Sequence, residues 1–260
     1  MPKSLPVTRL EAIALPGIPL VQPGDDLARL IQDGLIRAGL ALVEGDVLVV
    51  AQKIVSKAEA RLVRLDTVQP SDEARHLAER AGKDSRLVEV VLSESSEVLR
   101  VRDNLIITRH RLGLVMANAG VDRSNVAGEA GEVVLMLPKD PDASCARLGR
   151  ALARACGCHV GVVISDSVGR AWRRGQVGTA IGSWGLDALQ DLRGRPDLFG
   201  RALQVSEAAL ADQLASLAAL LQGQADEGQP VVLVRGGFAD PAASGTAADL
   251  IRPPDQDLFR

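Results

Sequence analysis

Residues 87–117 read LVEVVLSESSEVLRVRDNLIITRHRLGLVMA. Apolar, β-branched runs at 87–92, 105–108 and 112–117 predict three strands with short breaks between them, and breaks that short suit hairpin pairing. Outward from this stretch, Asp25-Asp26 precede Leu27, Leu30, Ile31 and Leu35, an acidic cap followed by a helical stripe over 26–38. Val47-Leu48-Val49-Val50-Ala51 is the unbroken apolar run of a strand buried on both faces. Ser71-Asp72-Glu73 opens a short charged helix that ends near Gly82. Asp142 is the expected cap of another helix, with Leu148, Leu152 and Cys156 on one face and an end at Gly157, ahead of a strand over 159–164. Residues 193–201, RGRPDLFGR, carry loop punctuation. Ser206 is expected to cap the longest helix, where Leu210, Leu214, Leu217 and Leu221 share a face, and 230–237 reads as a further buried strand. This order lacks the steady β-α-β spacing of a doubly wound sheet. The expected class is therefore α+β, with mixed, largely antiparallel sheets and packed helices.

Composition narrows the functional classes. At 260 residues the chain can bury a substantial core, as a single region over 1–260 or as two lobes. Aromatics are 2% and tyrosine is absent, so Leu, Val, Ile and Ala must build that core. A net charge of −3 argues against a general nucleic-acid or anionic-membrane binder, so clustered arginines serve a local anion. Cys145, Cys156 and Cys158 are odd in number and lack framework spacing, which fits a reducing cytoplasm. Cys156-Gly157-Cys158-His159 lacks a second ligand pair and reads as small buried thiols. His76 and His110 have no motif and read as surface or structural. No apolar leader follows Met1-Pro2-Lys3-Ser4, and no apolar run approaches the roughly 20 residues that span a bilayer. No G-x-G-x-x-G follows a strand and no Walker A lysine occurs, which weakens dinucleotide and P-loop readings.

Four segments share one plan, an apolar run that ends in a polar cluster. They are Gln52-Lys53-Ile54-Val55-Ser56-Lys57, Ala117 to Asn125 with Asp122, Asp166-Ser167 with Arg170, Arg173 and Arg174 behind them, and Gln224-Ala225-Asp226-Glu227. Strand ends display reactive groups on a rigid scaffold. Two strand-end acids with hydroxyl and amide neighbours suit a hard divalent cation, Mg²⁺ or Mn²⁺, completed by substrate phosphates. Without a cation, bringing Asp122 and Asp166 together raises the pKa of one of them. Each piece alone also has a plainer reading. Asp166 could cap a turn and pair with Arg170, Asp122 and Asn125 could make Asx-turns, and Lys53 and Lys57 could form a solvated face. Trp172 and Trp184 read as packing residues. A metal-dependent nucleotide phosphohydrolase and a non-catalytic nucleotide-binding protein both share these parts.

The conjunction ANAGVDRSN, ISDSVGRAWRRGQ, LPGIPLVQPGDDL with VVAQKIVSKAE, and LLQGQADEGQPVVLVRG resembles the coenzyme F420-0:L-glutamate ligase family, from about Leu15 to Gly237. The resemblance implies that family's mixed fold and a cytoplasmic homodimer. It also implies a GTP-dependent enzyme that adds L-glutamate to the deazaflavin F420-0 and extends a γ-linked tail. The implied cofactors are two divalent cations per site, Mg²⁺ or Mn²⁺, and a monovalent cation, K⁺. By motif, Asp122 and Asp166 would hold the first metal, and Ser167 and Gln224 the second. Asp166, Arg170 and Arg173 would be catalytic. Gly17-Ile18-Pro19-Leu20, Gln52, Lys53, Lys57, Asn125 and the loop Leu221-Gln222-Gly223-Gln224-Ala225-Asp226-Glu227-Gly228 would contact the nucleotide. Two departures stand out: Ser167 where threonine is usual, which keeps the hydroxyl, and Ala171 where proline is common, which loosens the turn. The flavin-dependent reductase domain that follows in some relatives is not expected here.

Overall fold

The computed structural model describes residues 9–126 and 132–257; residues 1–4, read above for a leader, lie outside them. In chain order the elements are β1 (Glu11–Ala14), α1 (Leu27–Arg37), β2 (Val47–Ala51), α2 (Gln52–Ala58), β3 (Leu62–Arg64), α3 (Asp72–Ala81), α4 (Ser85–Ser93), β4 (Ser95–Arg102) and β5 (Leu105–His110). They continue with β6 (Val115–Ala117), β7 (Val133–Leu135), α5 (Pro141–Cys156), β8 (Gly161–Arg170), β9 (Arg173–Trp184), β10 (Leu189–Asp191), β11 (Glu207–Ala209), α6 (Leu210–Gln222) and β12 (Val231–Arg235). The main sheet has the order β1-β12-β2-β8-β9. Only β2 and β8 in it run parallel; the other three pairings are antiparallel.

Both faces of this sheet are covered, which is why its strands read as unbroken apolar runs. Leu48, Val50, Val162, Ile164 and Leu233 pack under Ile31 and Leu35 of α1 and Leu148 and Leu152 of α5. Val47, Val49, Val163, Val232 and Val234 face Leu210, Leu214 and Ala218 of α6. All four valine and leucine side chains of 47–50 are fully buried. Each such side chain stabilises the fold by about 1.5–3 kcal/mol. A second layer holds the three-stranded β4-β5-β6 sheet and the β3-β7 pair, with α3 and α4 against them.

The structure moves several expected boundaries. Residues 87–92 are helical, not a strand. Leu87, Val88, Val90 and Val91 are the buried stripe of α4, and the Asp84 carboxylate caps it by accepting from the Arg86 N–H at 2.8 Å. The hairpin is made instead by β4 and β5. Asp140 rather than Asp142 caps α5, accepting from the Ala143 N–H, with Pro141 at the first helical position. The Asp142 carboxylate accepts from the N–H groups of Ser183 and Ala247 instead, tying α5 to β9 and the C-terminal segment. Ser206 caps no helix, because 207–209 pairs as β11 with β10 and α6 starts at Leu210. At 16 residues against 13, α5 is longer than α6. Cys156 is exposed rather than buried, its Sγ 2.9 Å from that of Cys158. His110 is fully buried in an ion cluster with Glu94, Arg61 and Arg111, whereas His76 is exposed.

Candidate active site

Strand direction gathers the polar segments at one edge of the main sheet. Register pairs Ala51 at the end of β2 with Ser165 of β8, so Gln52 and Asp166 leave that pair side by side. β12 is antiparallel to β2 with Val231 opposite Val50, which brings the loop before β12 to the same edge. β1 is antiparallel to β12 in turn, so the chain leaving Ala14 for residues 15–23 arrives there too. Open sheets bind ligands outside such carboxyl ends. Asp122 comes from elsewhere: it bridges Leu135 beyond β6 and hangs over this edge from the second layer.

These segments enclose a cavity of about 870 Å³. Asp122 and Asp166 both line it. The Asp122 carboxylate accepts from the Lys53 ammonium at 2.7 Å and from the Ser124 N–H and hydroxyl, both at 2.8 Å. Burial works to raise the Asp122 carboxyl, but Lys53 and Ser124 outweigh it and hold it below the usual range. Lys57 donates to the Asn125 carbonyl at 2.6 Å, and burial together with Lys53 lowers its ammonium. Lys53 and Lys57 are therefore not the solvated face of the plainer reading but a partly buried pair clamped onto the 122–125 turn.

Asp166 is held differently. Burial pushes its carboxyl up to about 6, only partly offset by the Ser167 N–H, Lys53 and the Gln52 amide, and the negative charge of Asp122 adds to the rise. It makes no ion pair with Arg170, whose guanidinium donates to the Gly175 carbonyl. Next to it the Ser167 hydroxyl accepts from the Gln224 amide at 2.9 Å, and the Asn125 amide donates to the Ala225 carbonyl at 3.2 Å. The loop after α6 thus closes onto both acids' neighbours. Among the described residues no group of three or more His, Cys, Asp and Glu side chains gathers to hold a metal alone.

The family described as F420-0:Gamma-glutamyl ligase matches residues 17–236. This chain belongs to that family. It is 45% identical over 252 residues to the "Coenzyme F420:L-glutamate ligase" of Methanothermobacter thermautotrophicus, covering 96% of this chain and 99% of the relative. The proteins of the same name from Methanopyrus kandleri and Methanocaldococcus jannaschii are 47% and 42% identical. They match 98% and 97% of this chain, and 99% and 97% of their own lengths.

In this family member, most residues named from the sequence meet in the cavity. Ile18, Pro19 and Leu20 line it, as do Gln52, Lys53, Lys57, Asn125, Ser167, Gln222, Gly223, Gln224, Ala225, Asp226 and Gly228. Gly17, Leu221 and Glu227 lie outside its lining. Gly17 makes the turn that receives Arg37, Leu221 packs against the α6 face of the sheet, and Glu227 braces the loop by accepting from the Ala225 N–H. Arg170 and Arg173 are also outside it. β8 does not stop at Ile164 but runs to Arg170 and turns through Ala171-Trp172 into β9, carrying the arginines to an exposed hairpin tip. The sequence reading missed Ser124, Gln22, Gln176 and the apolar wall of Leu62 and Val126. Ser124 had a local signal, since Asp-x-Ser is an Asx-turn pattern; the others carried none.

Proposed function

We propose that this chain is a GTP-dependent coenzyme F420-0:L-glutamate ligase that forms, and then extends, a γ-linked glutamate tail through an acyl phosphate. The observation that supports this most is the convergence of Asp122 and Asp166, distant in sequence, in one cavity walled by two lysines and a glycine-rich loop. The relatives' names supply the substrate class.

The donor set fits Mg²⁺ or Mn²⁺. Two carboxylates, the Ser167 hydroxyl and the Gln224 amide oxygen are hard ligands, too few for a closed protein site but sufficient with nucleotide phosphates. A carboxyl lifted to about 6 by burial is a group that a cation would return to its ionised form. Asp122 and Asp166 would hold the first ion, Ser167 and Gln224 the second, and when bound they would neutralise charge on the transferring phosphoryl group.

The chain's own residues do the rest. Lys53 and Lys57 bind phosphate oxygens once the nucleotide displaces their present carbonyl and carboxylate partners. Residues 18–20 and the loop 222–228 wrap the nucleoside, and the apolar wall excludes water from the acyl phosphate. The acceptor carboxylate attacks the γ-phosphorus of GTP and GDP departs. The glutamate amine then attacks the acyl carbon, and the C–O bond to phosphate breaks. The test is incubation with GTP, Mg²⁺, F420-0 and glutamate. Phosphate release in step with a product heavier by one or more glutamyl units supports the ligase. Phosphate release regardless of acceptor identifies a phosphohydrolase, and binding without turnover a carrier. Asp166→Asn should abolish turnover with the fold intact; undiminished metal-dependent GTP consumption in that variant refutes the assignment.

A further inference from the structure

The tip of the β8–β9 hairpin is unexplained by the cavity. Residues 169–176 are all exposed, and Trp172 at the turn is 87% exposed. The other tryptophan, Trp184, packs into the core with its ring 5.5 Å from that of His159. Trp172 also takes a left-handed backbone conformation, φ 64°, which a bulky side chain disfavours. Arg170 and Arg173 face each other across the turn, and Arg174-Gly175 bulge out of the ladder between Arg173 and Gln176. The bond from Arg170 to the Gly175 carbonyl fixes the bulge. Among the described residues Arg173 and Arg174 have no carboxylate partner. A chain with no tyrosine thus spends an aromatic ring and three guanidinium groups on a strained, exposed tip.

The tip also has a fixed relation to the cavity. Ser167 and Gln176, on the two arms of the hairpin, line it, so the tip continues one of its walls. Four residues of extended strand from Asp166 to Arg170 span about 13 Å. We propose that this tip is the docking site for the acceptor, with the flat deazaflavin ring stacked on Trp172 and its anionic chain held by Arg173 and Arg174. This rests on the ligase reading. The acceptor's reacting carboxylate must lie beside Asp122 and Asp166, while its ring is at the opposite end of a flexible phosphorylated chain. A rigid arm reaching about 13 Å past the acids meets that far end.

The experiment uses the full chain and F420-0 itself. Without GTP, F420-0 titrated into the protein quenches the exposed tryptophan's emission. Trp172→Ala weakens acceptor binding roughly tenfold, the ratio that about 1.4 kcal/mol of ring stacking sets. Trp172→Phe restores most of it, and the Arg173→Ser/Arg174→Ser pair removes most of its salt sensitivity. In turnover the same variants raise KM for F420-0 and leave KM for GTP unchanged. Unaltered F420-0 affinity in Trp172→Ala overturns the inference, as does an equal loss for GTP, or a fall in molecular mass by light scattering that marks the tip as a contact between copies. Acceptor binding through Trp172 with no glutamylated product would sink the ligase reading and leave the docking site standing. Glutamylated product with wild-type acceptor kinetics in Trp172→Ala would do the reverse.

Discussion

Asp166 couples the site's chemistry to the protein's stability, and Asp166→Asn separates the two. In the cation-free fold its carboxyl rises from an ordinary 3.8 to about 6, with burial the leading cause. At about 1.36 kcal/mol for each tenfold change in proton affinity, this amounts to roughly 3 kcal/mol of penalty on the ionised group. The sign follows from proton uptake. Between pH 4 and 6 the folded state holds a proton that the unfolded chain has lost, so stability falls as pH rises through this window and then levels off. Asparagine has nearly the same shape and carries no charge. Asp166→Asn should therefore match the wild type near pH 4 and exceed it by up to roughly 3 kcal/mol at pH 8, while being inactive. Urea unfolding in chelator at pH 4, 6 and 8 measures the difference. Mg²⁺ with a non-hydrolysable GTP analogue should then stabilise only the wild type appreciably. A variant no more stable than wild type at pH 8 would show that the carboxylate is not under strain there, and the case for a cation at this position would lose its physical basis.

Other outcomes test neighbouring parts. Lys53→Met breaks the 2.7 Å pair with Asp122, and because both partners are partly exposed it should cost under about 1 kcal/mol of stability. Its main effect should be weaker nucleotide binding by calorimetry. Glu94 lies among His110, Arg61 and Arg111; burial works to raise its carboxyl, but these partners hold it down to about 2. Its contribution is present above pH 4.5 and lost as pH falls toward 2, so Glu94→Gln should lose on the order of 3 kcal/mol at pH 7 and blunt acid sensitivity, read by denaturant melts. Gly149→Ala places a Cβ 2.1 Å from the Trp184 ring, which must push α5 off β9; about 1–3 kcal/mol should be lost, seen as a lower Tm.

What was legible in the sequence was local. Asp26, Ser71 and the glycines at 82 and 157 bound their helices because caps act within three or four residues. The 87–92 run misled because β-branched content outweighed its period: burial at 87, 88, 90 and 91 is a helical stripe, and Asp84 supplies the cap. The α+β class survived that error because β4 and β5, the next eight-residue and six-residue segments, make the hairpin instead. Asp166 marked the site although its strand does not end there. Past Ser165 the chain outruns its neighbour β2, which stops at Ala51, so β8 loses its cover on that side and turns polar while the ladder to β9 continues. A polar run after an apolar one therefore signals the edge of the sheet rather than the end of the strand. The same fact sets where the arginines lie: the extended β8–β9 pairing carries the Arg170 backbone about 13 Å from that of Asp166. A catalytic role for Arg170 or Arg173 would require the hairpin to fold over the cavity, against the β8–β9 ladder and the bulge fixed at Gly175. A site on the far end of the acceptor requires no such movement, and the strain at Trp172 is where that difference is recorded.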